Sequence, residues 1–208
     1  MIIISYVRTW QMNGQPLSPD HGYPLRVVVP GVTGARWVKW IDQITIAADE
    51  SPNFYQQRDY RILPPHVESA EQAVEYWPKI PSIQSLPVNS IIASIAPDIA
   101  SPEDKIIVKG YAMGAGGVGG QIAKVQVSAD DGETWQDARI TYQEGKWSWT
   151  LWACVLNIVS MKAKCEDKRE LELLCRAQDE TGGMQKRECD WNFRGVAFNA
   201  YGKGTWHW

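Results

Sequence analysis

The 208-residue sequence has no apolar run close to the roughly 20 residues that a transmembrane helix requires. Its apolar first five residues have no basic region ahead of them and are too short for a signal-peptide core. An excess of positive charge is also missing, since 21 Lys and Arg stand against 24 Asp and Glu with no basic stripe. These absences predict a protein that neither spans a membrane nor binds nucleic acid, and they leave its location open.

Cysteine is scarce as well, and its spacing excludes a zinc site. The four cysteines are Cys154, Cys165, Cys175 and Cys189, with no C-x-x-C pair among them. We therefore expect free, mostly buried thiols in a reducing compartment, and no metal ligand among them.

Two common enzyme motifs are missing or incomplete. No G-x-S-x-G nucleophile elbow occurs, which leaves an α/β serine hydrolase without support. Residues 114–119 (GAGGVG) match G-x-G-x-x-G, but residues 121–127 (QIAKVQV) favour a strand where a dinucleotide site needs a helix. The pattern predicts a flexible glycine loop between two strands.

The sequence changes in texture between residues 80 and 88. Before this point, residues 69–77 (SAEQAVEYW) favour a helix with Ser69 as its N-cap, and Pro78 and Pro81 then prevent its continuation. After it, the sequence is typical of β-structure. The strand-like stretches are residues 105–111, 123–127, 146–152 and 170–177, and a hairpin is expected at 128–135 (SADDGETW). Short strands at these intervals predict an antiparallel sandwich.

Charged side chains that could bind an anion flank an apolar run in residues 19–60. His21 and Arg26 precede or begin the run Val27-Val28-Val29, and Arg36 and Lys39 follow the Pro30-Gly31 turn. If the chain folds back, these groups converge on a site suited to phosphate. The alternative is a set of solvated surface charges around a strand, which the residue types alone leave open.

Three motifs make a resemblance to a known family. Residues 20–40 (DHGYPLRVVVPGVTGARWVKW), 57–60 (QRDY) and 191–195 (WNFRG) are similar, in this order, to elements of the sulfite oxidase and assimilatory nitrate reductase family. The resemblance extends from about residue 11 to 201. It implies a mixed fold: a truncated α+β portion of a molybdopterin-binding domain in 1–84, followed by an immunoglobulin-like, all-β dimerisation domain in 85–208.

The resemblance also implies roles for single residues. His21 and Arg26 would contact the molybdenum–molybdopterin cofactor, and Trp37, Val38 and Lys39 would line it, partly through their backbone. Tyr60 and Arg194 would be the catalytic residues, since a phenol can donate to an oxygen and a guanidinium suits an oxyanion.

The implied reaction is the oxidation of sulfite and water to sulfate, with two electrons passing through the cofactor. Arg194 favours sulfite, because eukaryotic nitrate reductases usually carry a neutral residue there. An assimilatory nitrate reductase-type enzyme and a nonenzymatic dimerisation module remain the alternatives. By family, the expected partners are sulfite or a similar oxyanion and a second copy of the chain, and the location is mitochondrial (intermembrane space) or cytoplasmic.

This sequence departs from the family at the metal. None of its four cysteines matches the family's molybdenum-ligating cysteine, which would lie upstream, and no haem domain is present. We therefore expect this chain by itself to be inactive.

Overall fold

The structure is a computed structural model that describes residues 7–159 and 170–207. They form two compact units. The first consists of the described part of Met1–Leu86 together with Asp190–Ala197, and the second of the described parts of Pro87–Cys189 and Phe198–Trp208. A short segment near the end of the sequence thus packs with the first unit. The assignment of 1–84 and 85–208 to two domains with different roles stays a prediction.

The first unit is built from short strands and turns. Its strands are β1 (Val7–Thr9), β2 (Gln11–Met12), β3 (Gln15–Pro16) and β4 (Arg26–Val28). β1 pairs antiparallel with β4, and β2 pairs with β3 across a hairpin turn. Asn13 and Gly14 occupy this turn with φ of 53° and 75°, a conformation that glycine and asparagine tolerate best. Its 3-10 turns are Pro19–His21, Gly34–Arg36 and Trp77–Lys79, and a π-helical turn spans Tyr55–Asp59.

The α-helix of this unit confirms the sequence prediction. Helix α1 spans Ala70–Tyr76, and the Oγ of Ser69 accepts a hydrogen bond from the Gln72 amide at 3.3 Å. This bond satisfies one of the N–H groups that the first turn of a helix leaves free. The helix passes directly into the turn Trp77–Lys79, because the ring of Pro78 cannot continue it.

A small apolar core holds the first unit together. Leu63, Val67 and Ala73 are buried, and Phe193 packs against them from the segment Asp190–Ala197. Partial burial of this aromatic ring helps to anchor the segment, because removing apolar surface from water stabilises the folded state.

The second unit is an antiparallel β-sandwich. Its strands are β5 (Asn89–Pro97), β6 (Lys105–Met113), β7 (Ile122–Ser128), β8 (Gln136–Asp137), β9 (Arg139–Tyr142), β10 (Thr150–Asn157), β11 (Glu170–Asp179) and β12 (Gly202–His207). One sheet has the order β5-β6-β10-β9 and the other β12-β11-β7-β8. Both sheets contribute side chains to one core, so the expected sandwich is present, whereas its immunoglobulin-like topology stays a proposal.

Trp152 lies at the centre of this core and explains a glycine on the neighbouring strand. Its side chain is 1% exposed, and its Nε1 donates to the Oγ of Ser90 at 3.1 Å. Gly110 pairs with Trp152 across β6 and β10, and a Cβ at this position would lie 2.3 Å from the indole. Glycine therefore makes room for the large ring.

One predicted strand begins later than expected. The sequence predicts a strand over residues 146–152, but β10 starts at Thr150, and Lys146 and Trp147 form a turn. Gly145 adopts a φ of 66°, and the Oγ of Ser148 accepts from the Glu144 amide at 2.8 Å. This local hydrogen bonding competes with pairing to the sheet. The alternation of tryptophan with small or polar residues therefore does not mark where the strand begins.

Two other turn predictions agree with the structure. Asp131 and Gly132 adopt positive φ values of 56° and 86° in the hairpin between β7 and β8. Residues 114–119 form a loop between β6 and β7, with a strand rather than a helix after it. Within residues 7–159 and 170–207, no helix has the length and apolar character needed to cross a bilayer.

Candidate functional site

His21 and Arg26 lie together in a tight loop that leads into β4. The 3-10 turn Pro19–His21 places the His21 Nδ1 2.6 Å from the Oγ of Ser18. Arg26 then folds back, and its Nη1 donates to the His21 carbonyl at 3.1 Å. The loop thus brings an imidazole and a guanidinium to the beginning of one short strand.

Lys39 joins this pair from the chain that follows the turn. The Val27 amide donates to the Val38 carbonyl at 2.8 Å, so this stretch runs beside β4. The Lys39 Nζ donates to the Asp20 carbonyl at 2.8 Å. Gly22 makes the approach possible, because its φ is 107° and a Cβ there would lie 3.0 Å from the Lys39 Cβ. His21, Arg26 and Lys39, called here the cationic edge, therefore converge.

Trp37 and Val38 lie between Arg36 and the cationic edge. The Trp37 Nε1 donates to the Val32 carbonyl at 3.0 Å, which closes the turn around Gly34–Arg36. The Val38 side chain is exposed, while its carbonyl belongs to the backbone pairing with Val27. Both residues thus border the cationic edge through the backbone.

Tyr60 follows the π-helical turn and contacts Arg36. The Tyr60 carbonyl accepts from the Ile83 amide at 2.7 Å, which fixes the backbone at this point. The Arg36 Cζ lies 5.6 Å from the centroid of the Tyr60 ring, within the range of a cation–π interaction. π-helical turns are rare and often occur at functional sites.

Arg61, which directly follows Tyr60, forms an ion pair and several hydrogen bonds that the sequence did not predict. Arg61 is 4% exposed and donates to the carbonyls of Trp77 at 2.8 Å and of Ile80, and to the Glu50 carboxylate at 3.3 Å. The hydrogen bond from Gln56 lowers the pKa of Glu50, and Arg61 adds to this effect. No local motif marked Glu50 or Arg61, because their partners lie far along the chain.

Arg194 forms an ion pair with Asp59, the residue directly before Tyr60. Its Nη1 forms an ion pair with the Asp59 Oδ1, and the two side chains are 38% and 15% exposed. The loop that carries Arg194 is shaped by Asn192, whose Nδ2 donates to the Val196 carbonyl at 3.0 Å and whose Oδ1 accepts from the Val196 amide at 3.0 Å. Residues 135 positions apart in the sequence are thus joined.

The predicted site residues therefore form two groups within the first unit. One is the cationic edge of His21, Arg26 and Lys39, bordered by Trp37 and Val38. In the other, Arg36 contacts Tyr60, and Asp59 pairs with Arg194. In the part of the chain that the structure describes, no hydrogen bond or ion pair joins the two groups directly. The backbone from Arg36 to Lys39 connects them, and the individual roles of these residues stay predictions.

Unsatisfied donors indicate which ligand suits this region. The Arg26 Nε and the Arg36 Nη2 are buried without a hydrogen-bond acceptor among the described residues. An unpaired donor on a charged group is costly, and an anionic oxygen is a suitable acceptor for each of these two nitrogens. The residues present thus fit a phosphate-bearing group.

The described part of the first unit contains no cysteine and no cluster of metal-ligating side chains. Cys154 and Cys175 are free and buried in the sandwich core, and Cys189 is free and partly exposed in the second unit. Burial raises the pKa of both buried thiols to about 11. Residues 7–159 and 170–207 contain no cluster of metal-ligating side chains, and Cys165 lies outside the described residues.

Two protein-family models match the chain. Residues 6–55 match the oxidoreductase molybdopterin binding domain, and residues 80–206 match the Mo-co oxidoreductase dimerisation domain. The second match alone covers more than half of the 208 residues.

Curated proteins and a solved structure resemble the chain over most of its length. Mitochondrial sulfite oxidase of Rattus norvegicus is 36% identical over 92% of this chain and 34% of its own length. The nitrate reductase [NAD(P)H] of Hordeum vulgare is 34% identical over 96% of this chain and 23% of its own length. The sulfane dehydrogenase SoxCD from Paracoccus pantotrophus has a TM-score of 0.71 at 27% identity, over 97% of this chain and 48% of that one. The chain thus spans only part of each of these proteins.

Proposed function

Because this chain belongs to the sulfite oxidase family of molybdopterin oxidoreductases, we propose that it contributes part of the active site of an enzyme that oxidises sulfite. In the proposed reaction, sulfite and water give sulfate, two protons and two electrons. The cationic edge would hold the anionic part of the cofactor, and Arg194 and Tyr60 would bind and orient the oxyanion.

The proposed cofactor residues are His21, Arg26 and Lys39, with the backbone at Trp37 and Val38. The unpaired Arg26 Nε supports this proposal, because a phosphate oxygen is a strong acceptor for a guanidinium nitrogen. When bound, the molybdenum cofactor would supply the oxygen-atom transfer and accept the electrons.

Arg194 and Tyr60 are the proposed substrate residues. A guanidinium pairs with a doubly charged oxyanion more strongly than with a singly charged one, so Arg194 favours sulfite over nitrate. The phenol of Tyr60 would donate its proton in a hydrogen bond to a substrate oxygen. The observation that supports the proposal most directly is the ion pair with Asp59, which holds Arg194 beside the Tyr60 segment.

Oxyanion binding by the chain tests this proposal without the cofactor. Sulfite and nitrate would be titrated separately while NMR follows the side-chain Nε–H signals of arginine. We expect sulfite to shift the Arg194 signal at lower concentration than nitrate, and Arg194→Gln to weaken sulfite binding about tenfold. Arg187→Gln is the matched control, because Arg187 is also ion-paired, with Asp131 at 2.7 Å, but belongs to the second unit.

Equal binding of sulfite and nitrate would favour the nitrate reductase alternative, which the Hordeum vulgare relative keeps open. No shift of the Arg194 signal with either ion would favour a nonenzymatic dimerisation module. These outcomes separate the three functional hypotheses with one set of samples.

We also propose that the 208-residue chain by itself neither ligates molybdenum nor oxidises sulfite. The described cysteines all belong to the second unit, whereas the proposed cofactor residues belong to the first. Metal analysis of the purified chain and a ferricyanide-coupled sulfite assay test this. Stoichiometric molybdenum together with turnover would refute it.

A homodimer through the second unit is the proposed assembly. The family model over residues 80–206 is named for dimerisation. One face of the sheet β5-β6-β10-β9 also carries an apolar row that is exposed at Ile91, Tyr142 and Leu151. In this row Ile91 pairs with Tyr111, Tyr111 with Leu151, and Leu151 with Tyr142. Sedimentation should give a dimer, and Leu151→Arg should shift it toward monomer, since a charge in an apolar interface is costly. A dimer that Leu151→Arg leaves intact would show that another surface pairs.

A further inference from the structure

The Arg36 guanidinium donates to two backbone carbonyls in segments that adjoin Tyr60. Its Nε donates to the Ile83 carbonyl at 3.2 Å, and its Nη1 donates to the Tyr55 carbonyl at 3.0 Å. Tyr55 begins the π-helical turn that ends next to Tyr60, and the Ile83 amide donates to the Tyr60 carbonyl at 2.7 Å. One planar guanidinium therefore fixes the beginning of the turn and the backbone partner of Tyr60.

The same guanidinium also contacts the Tyr60 side chain. The Arg36 Cζ lies 5.6 Å from the ring centroid, and Tyr55 approaches the ring with its centroid at 6.5 Å. The Arg36 side chain thus restricts the ring as well as the backbone of Tyr60. Lysine cannot reproduce this arrangement, because its single ammonium group lacks the planar fork that reaches two carbonyls at fixed angles.

Arg36 tolerates partial burial for this arrangement. Desolvation lowers its pKa, and the nearby Glu50 carboxylate opposes this shift. Its Nη2 has no acceptor in the described ranges 7–159 and 170–207. A partly buried cation with one unpaired donor costs free energy, which the two backbone hydrogen bonds of Arg36 offset.

From these contacts we infer that Arg36 is a positioning residue, which sets the orientation of the Tyr60 phenol and links Tyr60 to the cationic edge. The inference rests on the proposed function only in that Tyr60 is taken to face the substrate. Arg36 directly precedes Trp37, Val38 and Lys39, so a shift of the cationic edge would reach Tyr60 through the hydrogen bonds of Arg36 to the Ile83 and Tyr55 carbonyls.

The test uses the full chain without cofactor or substrate. Tyrosine is replaced by 3-fluorotyrosine, the fluorine signal of Tyr60 is assigned with Tyr60→Phe, and amide exchange is measured at Ile83. In Arg36→Gln we expect the Tyr60 signal to shift and Ile83 exchange to accelerate about fivefold, as loss of one typical hydrogen bond produces. In Arg36→Lys, which keeps the charge, the fluorine shift should be smaller, while Ile83 exchange stays accelerated.

Arg58→Lys is the control, since Arg58 is an exposed arginine of the same turn and its replacement should move neither signal. If Arg36→Gln unfolds the first unit, seen as loss of protection at the Ala73 amide, Arg36→Lys carries the test. An unchanged Tyr60 signal with unchanged Ile83 exchange in a folded variant would overturn the inference. Because neither readout involves an oxyanion, this failure is distinct from a failure of sulfite binding.

Discussion

The guanidinium of Arg194 is ion-paired with the carboxylate of Asp59, the residue that directly precedes Tyr60. The pair connects the segment Asp190–Ala197 to the π-helical turn Tyr55–Asp59 within the first unit. It has two consequences, since it holds the segment in place and it gives Arg194 an anionic partner with which an oxyanion must compete.

The stability of the first unit should depend on this pair. In a double-mutant cycle of Arg194→Gln and Asp59→Asn, we expect a coupling free energy of about 1 kcal/mol, because Asp59 is only 15% exposed. Urea unfolding, with exchange at the Gly195 amide as a local probe, measures it. The pair Lys203–Glu172, 66% and 58% exposed at 3.6 Å, is the control and should couple by less than about 0.5 kcal/mol. Equal coupling in both pairs would contradict the prediction.

The buried indole of Trp152 should contribute strongly to the sandwich. We expect Trp152→Phe to lower the free energy of unfolding by about 2–4 kcal/mol, because it leaves a cavity and removes the donor to Ser90. Chemical denaturation measures this loss. Trp147→Phe is the matched control, since Trp147 is 42% exposed in a turn, and it should cost less than about 0.5 kcal/mol. A loss in Trp152→Phe as small as in the control would be incompatible with the packing described.

The thiols should differ in reactivity because of burial. With a pKa of about 11, Cys154 and Cys175 are thiolates in only about one molecule in a thousand at pH 8. Alkylation of the folded chain at pH 8, read by peptide mass spectrometry, should therefore modify Cys189 before Cys154 and Cys175. In the unfolded chain the two thiols ionise from about pH 9, so the native state binds more protons and loses stability between pH 9 and 11. Rapid modification of Cys154 or Cys175 in the folded chain would refute this.

Acid should weaken the first unit through Glu50. Hydrogen bonds from Gln56 and Ser82 and the charge of Arg61 lower the pKa of Glu50 in the folded chain. A lowered pKa stabilises the fold above about pH 4.5, and this stability is lost as the pH falls further. Exchange at the Ala73 amide should thus accelerate on acidification, and Glu50→Gln should flatten this dependence. Amides of the second unit serve as the internal reference, and an unaltered acid response in Glu50→Gln would exclude this role.

Local chemistry explains which elements the sequence could predict. Ser69 caps α1 and Pro78 prevents its continuation, and both effects act within a few residues of the helix. The strand alternation, the hairpin at Asp131-Gly132 and the glycine loop at 114–119 are also local properties. The predicted strand 146–152 was wrong at its beginning, because the positive φ of Gly145 and the hydrogen bond of Ser148 form a turn before β10 begins at Thr150.

The amino-acid sequence by itself determined the family, the capped helix, the four strands β6, β7, β10 and β11, and the residue types of the cationic edge, because these depend on near neighbours or on contiguous motifs. Strands β5, β8, β9 and β12 were not predicted from the sequence. Only the tertiary structure decided that Arg194 pairs with Asp59, that Arg61 is buried on backbone carbonyls with Glu50, and that Arg36 lies against Tyr60. These partners are 11 to 135 residues apart in the sequence, so whether they meet depends on how the tertiary fold brings their backbone segments together. For Arg194, Phe193 packs its partly buried ring against the small core of the first unit, and apolar packing between residues so far apart in the sequence is not encoded by any local pattern.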